Sequence, residues 1–291
     1  MKILFTLLIF FIILFFYIHI LFQLKTSNDT EIYELIQPSK DKLEEILSLK
    51  QPFIFTMENN TIFKNLSKDY SKFDLNIRNL KDKSTIKYLP FSCKKTLELL
   101  KKDKKETYLS EKNKDFLKET EIDKHFLLND NLFRPPLLCN SDYDILLGSK
   151  NSYTPLRYEI SYCNYILVNE GEINLKLCAP KNSKYLLEEK DYENMEFYSP
   201  IDPWNIHNKY KQNMNKVEFL DIVLKPTQCF YIPPYWWYSI QFQENTNIFY
   251  FKYFTIMNNI TIFPSLFLSF LQKYNIKHKT LKKIEIKKGN K

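Results

Sequence analysis

The chain has 291 residues and a formal net charge of +8, carried by 42 Lys and Arg residues of which only Arg78, Arg134 and Arg157 are Arg. A charge spread over so many Lys, in a sequence also rich in Asn, Ile, Phe and Tyr with three Gly and Ala179 as its one Ala, reads as a solvated surface shaped by A/T-rich codon usage. No nucleic-acid-binding motif accompanies it, so nucleic acid is not an expected partner. The five Cys (Cys93, Cys139, Cys163, Cys178, Cys229) form no CxxC pair, which argues against a zinc site or a dense disulfide framework and predicts buried free thiols.

From Ile3 to Leu24 the only polar interruptions are Thr6, His19 and Gln23. A hydrocarbon core of about 30 Å needs roughly 20 helical residues, so residues 1–24 are predicted to be a transmembrane signal-anchor helix of a single-pass protein; a cleaved signal peptide is the alternative. Four sequons, at Asn28, Asn59, Asn65 and Asn259, would suit a lumenal domain, but orientation and compartment stay open. Residues 25–40 read as a polar linker, 41–262 as the folded domain and 263–291 as a C-terminal helix with a Lys-rich tail.

Asp41 to Glu44 reads as an acid-capped box opening a helix whose apolar face is Leu43, Ile46 and Leu47. Pro52 to Thr56 is a short apolar strand, and Ser92 is the expected cap of a helix running toward Lys102. Residues 101–125 mix Lys, Glu and Asp and read as solvated helix and loop. From Tyr143 onward the texture is strand-like: 143–147, 165–168, 173–177, 219–224, 229–232 and 248–254 are short β-branched and aromatic runs, which predicts an all-β sandwich or barrel. Gly171, between two such runs, marks a hairpin needing a positive φ. Phe263 to Lys273 reads as a helix with Leu266, Phe267, Phe270 and Leu271 on one face, either packed on the barrel or forming a homodimer contact.

Two segments carry a signature. One runs from Gly148 through Thr154-Pro155-Leu156-Arg157-Tyr158-Glu159 to Asn164 and Gly171; the other runs from Leu224 to Ile232-Pro233-Pro234-Tyr235-Trp236-Trp237-Tyr238. Together they resemble the cupin-like branch of the JmjC hydroxylases, whose members include the factor-inhibiting asparaginyl hydroxylases. The resemblance implies a mainly β (α+β) fold: a double-stranded β-helix, the cupin or jelly-roll barrel, with flanking helices and here preceded by the transmembrane helix. It also implies iron(II) and 2-oxoglutarate, with a 2-His-1-carboxylate triad.

At the positions the resemblance assigns to that triad stand Arg157, Glu159 and Tyr238, and the cosubstrate lysine is replaced by Ile173. Thr154 and Asn164 match positions near the cosubstrate; Tyr158, Trp236 and Trp237 are further pocket candidates. A guanidinium has no lone pair for a metal and keeps its charge. The four His residues, His19, His125, His207 and His278, are too scattered to replace the ligands. The expectation is therefore a catalytically degenerate barrel with no metal and no cofactor, binding an unknown small molecule or protein; a divergent iron(II)/2-oxoglutarate oxygenase and a structural membrane component are the alternatives.

Two geometric expectations follow. Arg157 and Glu159, two residues apart on a strand, should face the barrel interior, satisfy each other there and meet Tyr238, with the Arg charge roughly where iron would sit; a register that turns Arg157 to solvent is the alternative. Trp236 and Trp237 should point to opposite sides.

Overall fold

The computed structural model describes residues 2–57, 70–81 and 88–275, apart from the side chains of 125 and 127–129. The sequons Asn59 and Asn65, the His125 side chain, His278 and the Lys-rich tail lie outside the described residues.

Helix α1 (Lys2–Leu24) is long and apolar enough to cross a membrane, the property expected from its sequence. The stretch read as a polar linker contains β1 (Tyr33–Ile36), which pairs in parallel with β2 (Phe53–Thr56) and so joins the main sheet. Its four residues carry too little apolar pattern to be seen without that partner strand. Between them, α2 (Lys40–Leu47) buries Leu43, Ile46 and Leu47 as expected. Its cap, however, is Ser39 rather than an acidic box: the Ser39 hydroxyl accepts a hydrogen bond from the Lys42 N–H.

Strands β3 (Asp74–Asn79) and β4 (Tyr88–Ser92) lead into α3 (Cys93–Lys102), where Ser92 occupies the cap position without making the side-chain hydrogen bond. The segment read as solvated is more deeply built in than its charge suggests. It holds β5 (Tyr108–Ser110), α4 (Lys114–Glu119) and the start of α5 (Asp123–Phe133), and buries Leu109, Glu111, Asn113, Phe116, Leu117 and Ile122.

The barrel begins at β6 (Leu138–Gly148) and continues through β7 (Arg157–Tyr158), β8 (Cys163–Glu170) and β9 (Ile173–Cys178). A long excursion follows, with β10 (Glu189–Asp191), β11 (Glu196–Tyr198) and the one-turn helix α6 (Lys211–Met214). Strands β12 (Leu220–Leu224), β13 (Gln228–Ile232), β14 (Trp237–Phe242) and β15 (Asn247–Thr255) complete it before α7 (Ile256–Thr261) and α8 (Phe263–Lys273).

The larger sheet runs β1-β2-β13-β8-β15-β6-β5-β3-β4 and the smaller β10-β11-β7-β14-β9-β12. The central orders, β13-β8-β15-β6 facing β7-β14-β9-β12, interleave successive strands between two sheets, which is the jelly-roll arrangement. Alternation fills the space between them: Ile173, Leu175 and Leu177 of β9 point inward to meet Ile166, Phe230 and Ile248 of the larger sheet. The other face of the larger sheet is covered by helices, with Tyr165, Tyr231 and Phe251 packed against Leu43, Phe116, Phe126 and Phe133. Strand β8 is therefore buried on both faces, and its middle, Tyr165 to Val168, reads as a continuous apolar run.

Gly171 has the expected positive φ of 74°, but it does not close a hairpin: β8 and β9 belong to different sheets, and the turn carries the chain across the barrel. A Cβ there would stand 2.3 Å from the Thr246 hydroxyl oxygen. Four of the five thiols are buried as expected; Cys139, near the start of β6, is exposed. Trp236 and Trp237 do point to opposite sides: Trp236 joins the cluster between the sheets, Trp237 the cluster outside the smaller sheet with Leu156, Tyr158 and Phe197. Helix α8 does not seal the barrel with its apolar face: its buried residue is Ser269, while Leu266, Phe267, Phe270 and Leu271 are 37–55% exposed.

Candidate functional site

Strand β7 is two residues long, and register sets Arg157 directly across from Tyr238 of β14. Glu159 lies just past the end of β7, where its carbonyl oxygen accepts the N–H of Tyr235 at 2.9 Å. That bond ties the strand to the turn preceding the two Trp residues. Arg157, Glu159, Glu111, Tyr250 and Lys252 line a cavity of about 620 Å³ at the barrel mouth, bounded also by the Lys112–Glu196 ion pair.

The three triad positions converge as expected, but they are joined differently. Arg157 does not rely on Glu159. Its Nη1 donates to Glu111 Oε2 at 2.8 Å and its Nε to the Tyr238 hydroxyl at 3.2 Å. Tyr238 in turn donates to Glu159 Oε1 at 2.9 Å, and its oxygen lies 3.0 Å from the Tyr250 hydroxyl. The second oxygen of Glu159 pairs with Lys252 Nζ at 2.9 Å. The physical reason is the shortness of β7: beyond its end the Glu159 side chain meets the larger sheet, where β15 presents Lys252.

Glu111 is the centre of the other half. Its Oε1 accepts from Arg78 Nη1 at 3.3 Å and from the Tyr88 hydroxyl at 2.7 Å, so both oxygens are engaged while the residue is 2% exposed. The turn that carries it is pinned from β6: Asp144 accepts the N–H groups of Lys112 and Asn113, and Asn113 Nδ2 donates to the Ile145 carbonyl.

Electrostatics follow this wiring. Burial alone would raise the Glu111 pKa, but the guanidinium groups of Arg157 and Arg78 and the Tyr88 hydroxyl outweigh it and hold the carboxylate well below its ordinary range. Burial would likewise lower Arg157 and Lys252, and the neighbouring carboxylates keep both raised and charged. Burial pushes the Tyr238 phenol up to about 12 against the pull of Arg157, so it stays protonated at neutral pH and serves as both donor and acceptor. The directly paired groups are three cations (Arg78, Arg157, Lys252) and two carboxylates (Glu111, Glu159), and the same cavity wall also carries Asp142, Asp144, Glu193 and Glu196 against Lys112, Lys114 and Lys273.

The remaining candidates fall elsewhere. Ile173 is buried between Leu224 and Phe242, with an apolar environment on all sides. Thr154 stitches its loop to β14, its hydroxyl accepting the Ile240 N–H at 2.9 Å. Asn164 is fully buried and donates to the Ile232 carbonyl at 3.3 Å. Tyr158 does line the mouth, with its hydroxyl bonded to Glu188 and its ring stacked on Phe197. Trp236 and Trp237 are packed away from the cavity. His207 caps a short helical turn, its Nδ1 accepting the Lys209 N–H. Among the described residues no group of three or more His, Cys, Asp or Glu comes together in a way that could hold a metal ion.

Glu111, Arg78 and Lys252 were not singled out from the sequence, yet the two cations left a trace. In a chain this dominated by Lys, an Arg is itself a signal. All three pair with deeply buried carboxylates: Arg78 and Arg157 with Glu111, Arg134 with Asp130. The forked guanidinium suits such a partner better than an ammonium. Lys252 is the one charge inside the aromatic run 248–254.

Comparison with known protein families matches residues 31–259 to the cupin-like domain, a span that takes in every strand from β1 to β15. Comparison with curated proteins gives no match. The jelly-roll strand order, the Thr-Pro and Trp-Trp elements that precede Arg157 and Tyr238, and this match agree: the chain belongs to the cupin-like domain family.

Proposed function

We propose that this protein is a membrane-anchored cupin-like barrel that has lost iron-dependent oxygenation and binds a small anionic ligand at its mouth. The observation that carries the reading is Arg157. It stands at the first metal-ligand position, lines the mouth cavity, and is tied to Glu111 and Tyr238, so a permanent guanidinium charge forms part of the cavity wall. A guanidinium in that wall is the group best shaped to pair with a carboxylate or phosphate.

Iron(II) and 2-oxoglutarate do not fit these residues. A guanidinium repels a dication and offers it no electron pair. Both oxygens of Glu159 are already engaged, and Tyr238 is a neutral phenol. Ile173 gives a cosubstrate carboxylate nothing to pair with.

Purified full-length protein is expected to retain no stoichiometric iron and to produce no succinate from 2-oxoglutarate. Inorganic phosphate or a small dicarboxylate should raise its melting temperature. Arg157→Gln, which leaves Glu111 paired to Arg78, should abolish that rise. Iron-dependent succinate production that disappears in Glu159→Ala would overturn the loss of chemistry, and a melting temperature unmoved by any small anion would overturn the ligand class.

Anchoring is tested separately. Burying the 23-residue α1 in a bilayer far exceeds any screened surface attraction, so the protein should stay in the membrane pellet through high salt and alkaline carbonate. Recovery in the carbonate supernatant would mean that α1 does not anchor the mature chain.

A further inference from the structure

We infer that α8 is a second membrane-contacting element, lying in the surface of the same bilayer that α1 spans. Four aromatic rings run along one side of it at helical spacing: Phe263, Phe267, Phe270 and Tyr274. They are 62%, 49%, 55% and 71% exposed. They pair along the helix, Phe263 stacked on Phe267 with ring centroids 6.2 Å apart and Phe270 tilted against Tyr274 at 4.6 Å. A soluble surface rarely leaves so continuous an aromatic stripe uncovered.

The bilayer is the occupant because of where α1 goes. Its last turns do not project freely from the domain. Ile18, His19 and Phe22 sit with Leu137, Thr255 and Met257 around a shared cavity at the start of α7, and α8 follows α7 directly. The apolar run before that contact, Ile3 to Tyr17, is 15 residues. At about 1.5 Å per residue it covers only about 22 Å, short of the roughly 30 Å hydrocarbon core. A spanning α1 must therefore use residues beyond 17 within the apolar layer, which draws the α7 surface packed on them down to the membrane boundary. Leu137, which lines that shared cavity, and Ile256 and Ile260 of α7 are exposed.

Charge agrees with this placement. No Asp or Glu occurs from Ile256 to Asn275, and the sequence beyond, 276–291, holds seven Lys against Glu285. Aromatic rings at the headgroup level beside a basic segment are the composition of an interfacial helix on anionic lipid. Leu266 and Lys273 also line the mouth cavity, so a docked α8 sets that cavity beside the headgroups.

The inference rests on reading α1 as a membrane span, and the test separates the two. Full-length protein carrying Cys139→Ser and Phe267→Cys, labelled at 267 with an environment-sensitive fluorophore, is reconstituted into phosphatidylcholine–phosphatidylserine vesicles. The label should be shielded from aqueous iodide and quenched by lipids brominated near the headgroup. Adding Phe263→Ser, Phe270→Ser and Tyr274→Ser should reverse both effects while the protein stays with the vesicles and its melting temperature holds, because these side chains support little of the core. A label open to iodide on vesicle-bound protein overturns the inference and leaves the anchor standing. Label-to-label self-quenching at high lipid excess, without lipid quenching, assigns the face to a second copy and also overturns it. Release of the protein from the vesicles removes the anchor and this inference together.

Discussion

Replacing Glu111 with Gln is expected to destabilise the domain by about 3–5 kcal/mol, the cost of breaking a buried ion pair from one side. Gln is nearly isosteric, so packing is kept, but Arg78 and Arg157 lose the one carboxylate they share. Denaturant unfolding of the solubilised protein measures it. The effect has a pH signature. The Glu111 pKa is depressed to about 2 in the folded state by Arg157, Arg78 and Tyr88, against burial, which would raise it. An unfolded Glu titrates near about 4.3, so the contribution is complete above about pH 5 and disappears as pH falls toward 2. The gap between wild type and Glu111→Gln should close across that acid range. A gap that persists unchanged at pH 3, or a loss below 1 kcal/mol at neutral pH, would show that the network is not held through this carboxylate. Glu159→Gln should cost less, because Lys252 is the partner it strands and its side chain is 24% exposed.

Trp236→Ala and Trp237→Ala should each cost about 3–5 kcal/mol, as a large ring leaves a cavity in a packed core. Both residues are fully buried, one between the sheets and one outside the smaller sheet. Phe substitutions distinguish the two environments. Trp236 Nε1 is buried without a protein hydrogen-bond partner among the described residues, whereas Trp237 Nε1 donates to Ser183 Oγ at 2.7 Å. Trp236→Phe therefore removes packing alone, while Trp237→Phe also forfeits a hydrogen bond worth about 1 kcal/mol and strands a hydroxyl. Equal costs for the two Phe variants would contradict this assignment, and near-neutral Ala variants would contradict burial itself.

The sequence by itself determined the barrel and the apolar helix. Strand alternation and an unbroken apolar run are local signals that recur every two residues or span a fixed length, and the Thr-Pro and Trp-Trp elements set Arg157, Glu159 and Tyr238 at one end of the barrel. Only the tertiary structure decided who pairs with whom. Arg157 meets Glu111 from 46 residues away, through the turn after β5, which looked solvated because its neighbours are Lys and Glu. Strand β1 needed β2 beside it before four residues became part of a sheet. The direction of α8 is the sharpest case. A helix that buries its apolar face and one that presents it have the same periodicity, and the difference lies in what the rest of the chain leaves beside it, which no local pattern encodes.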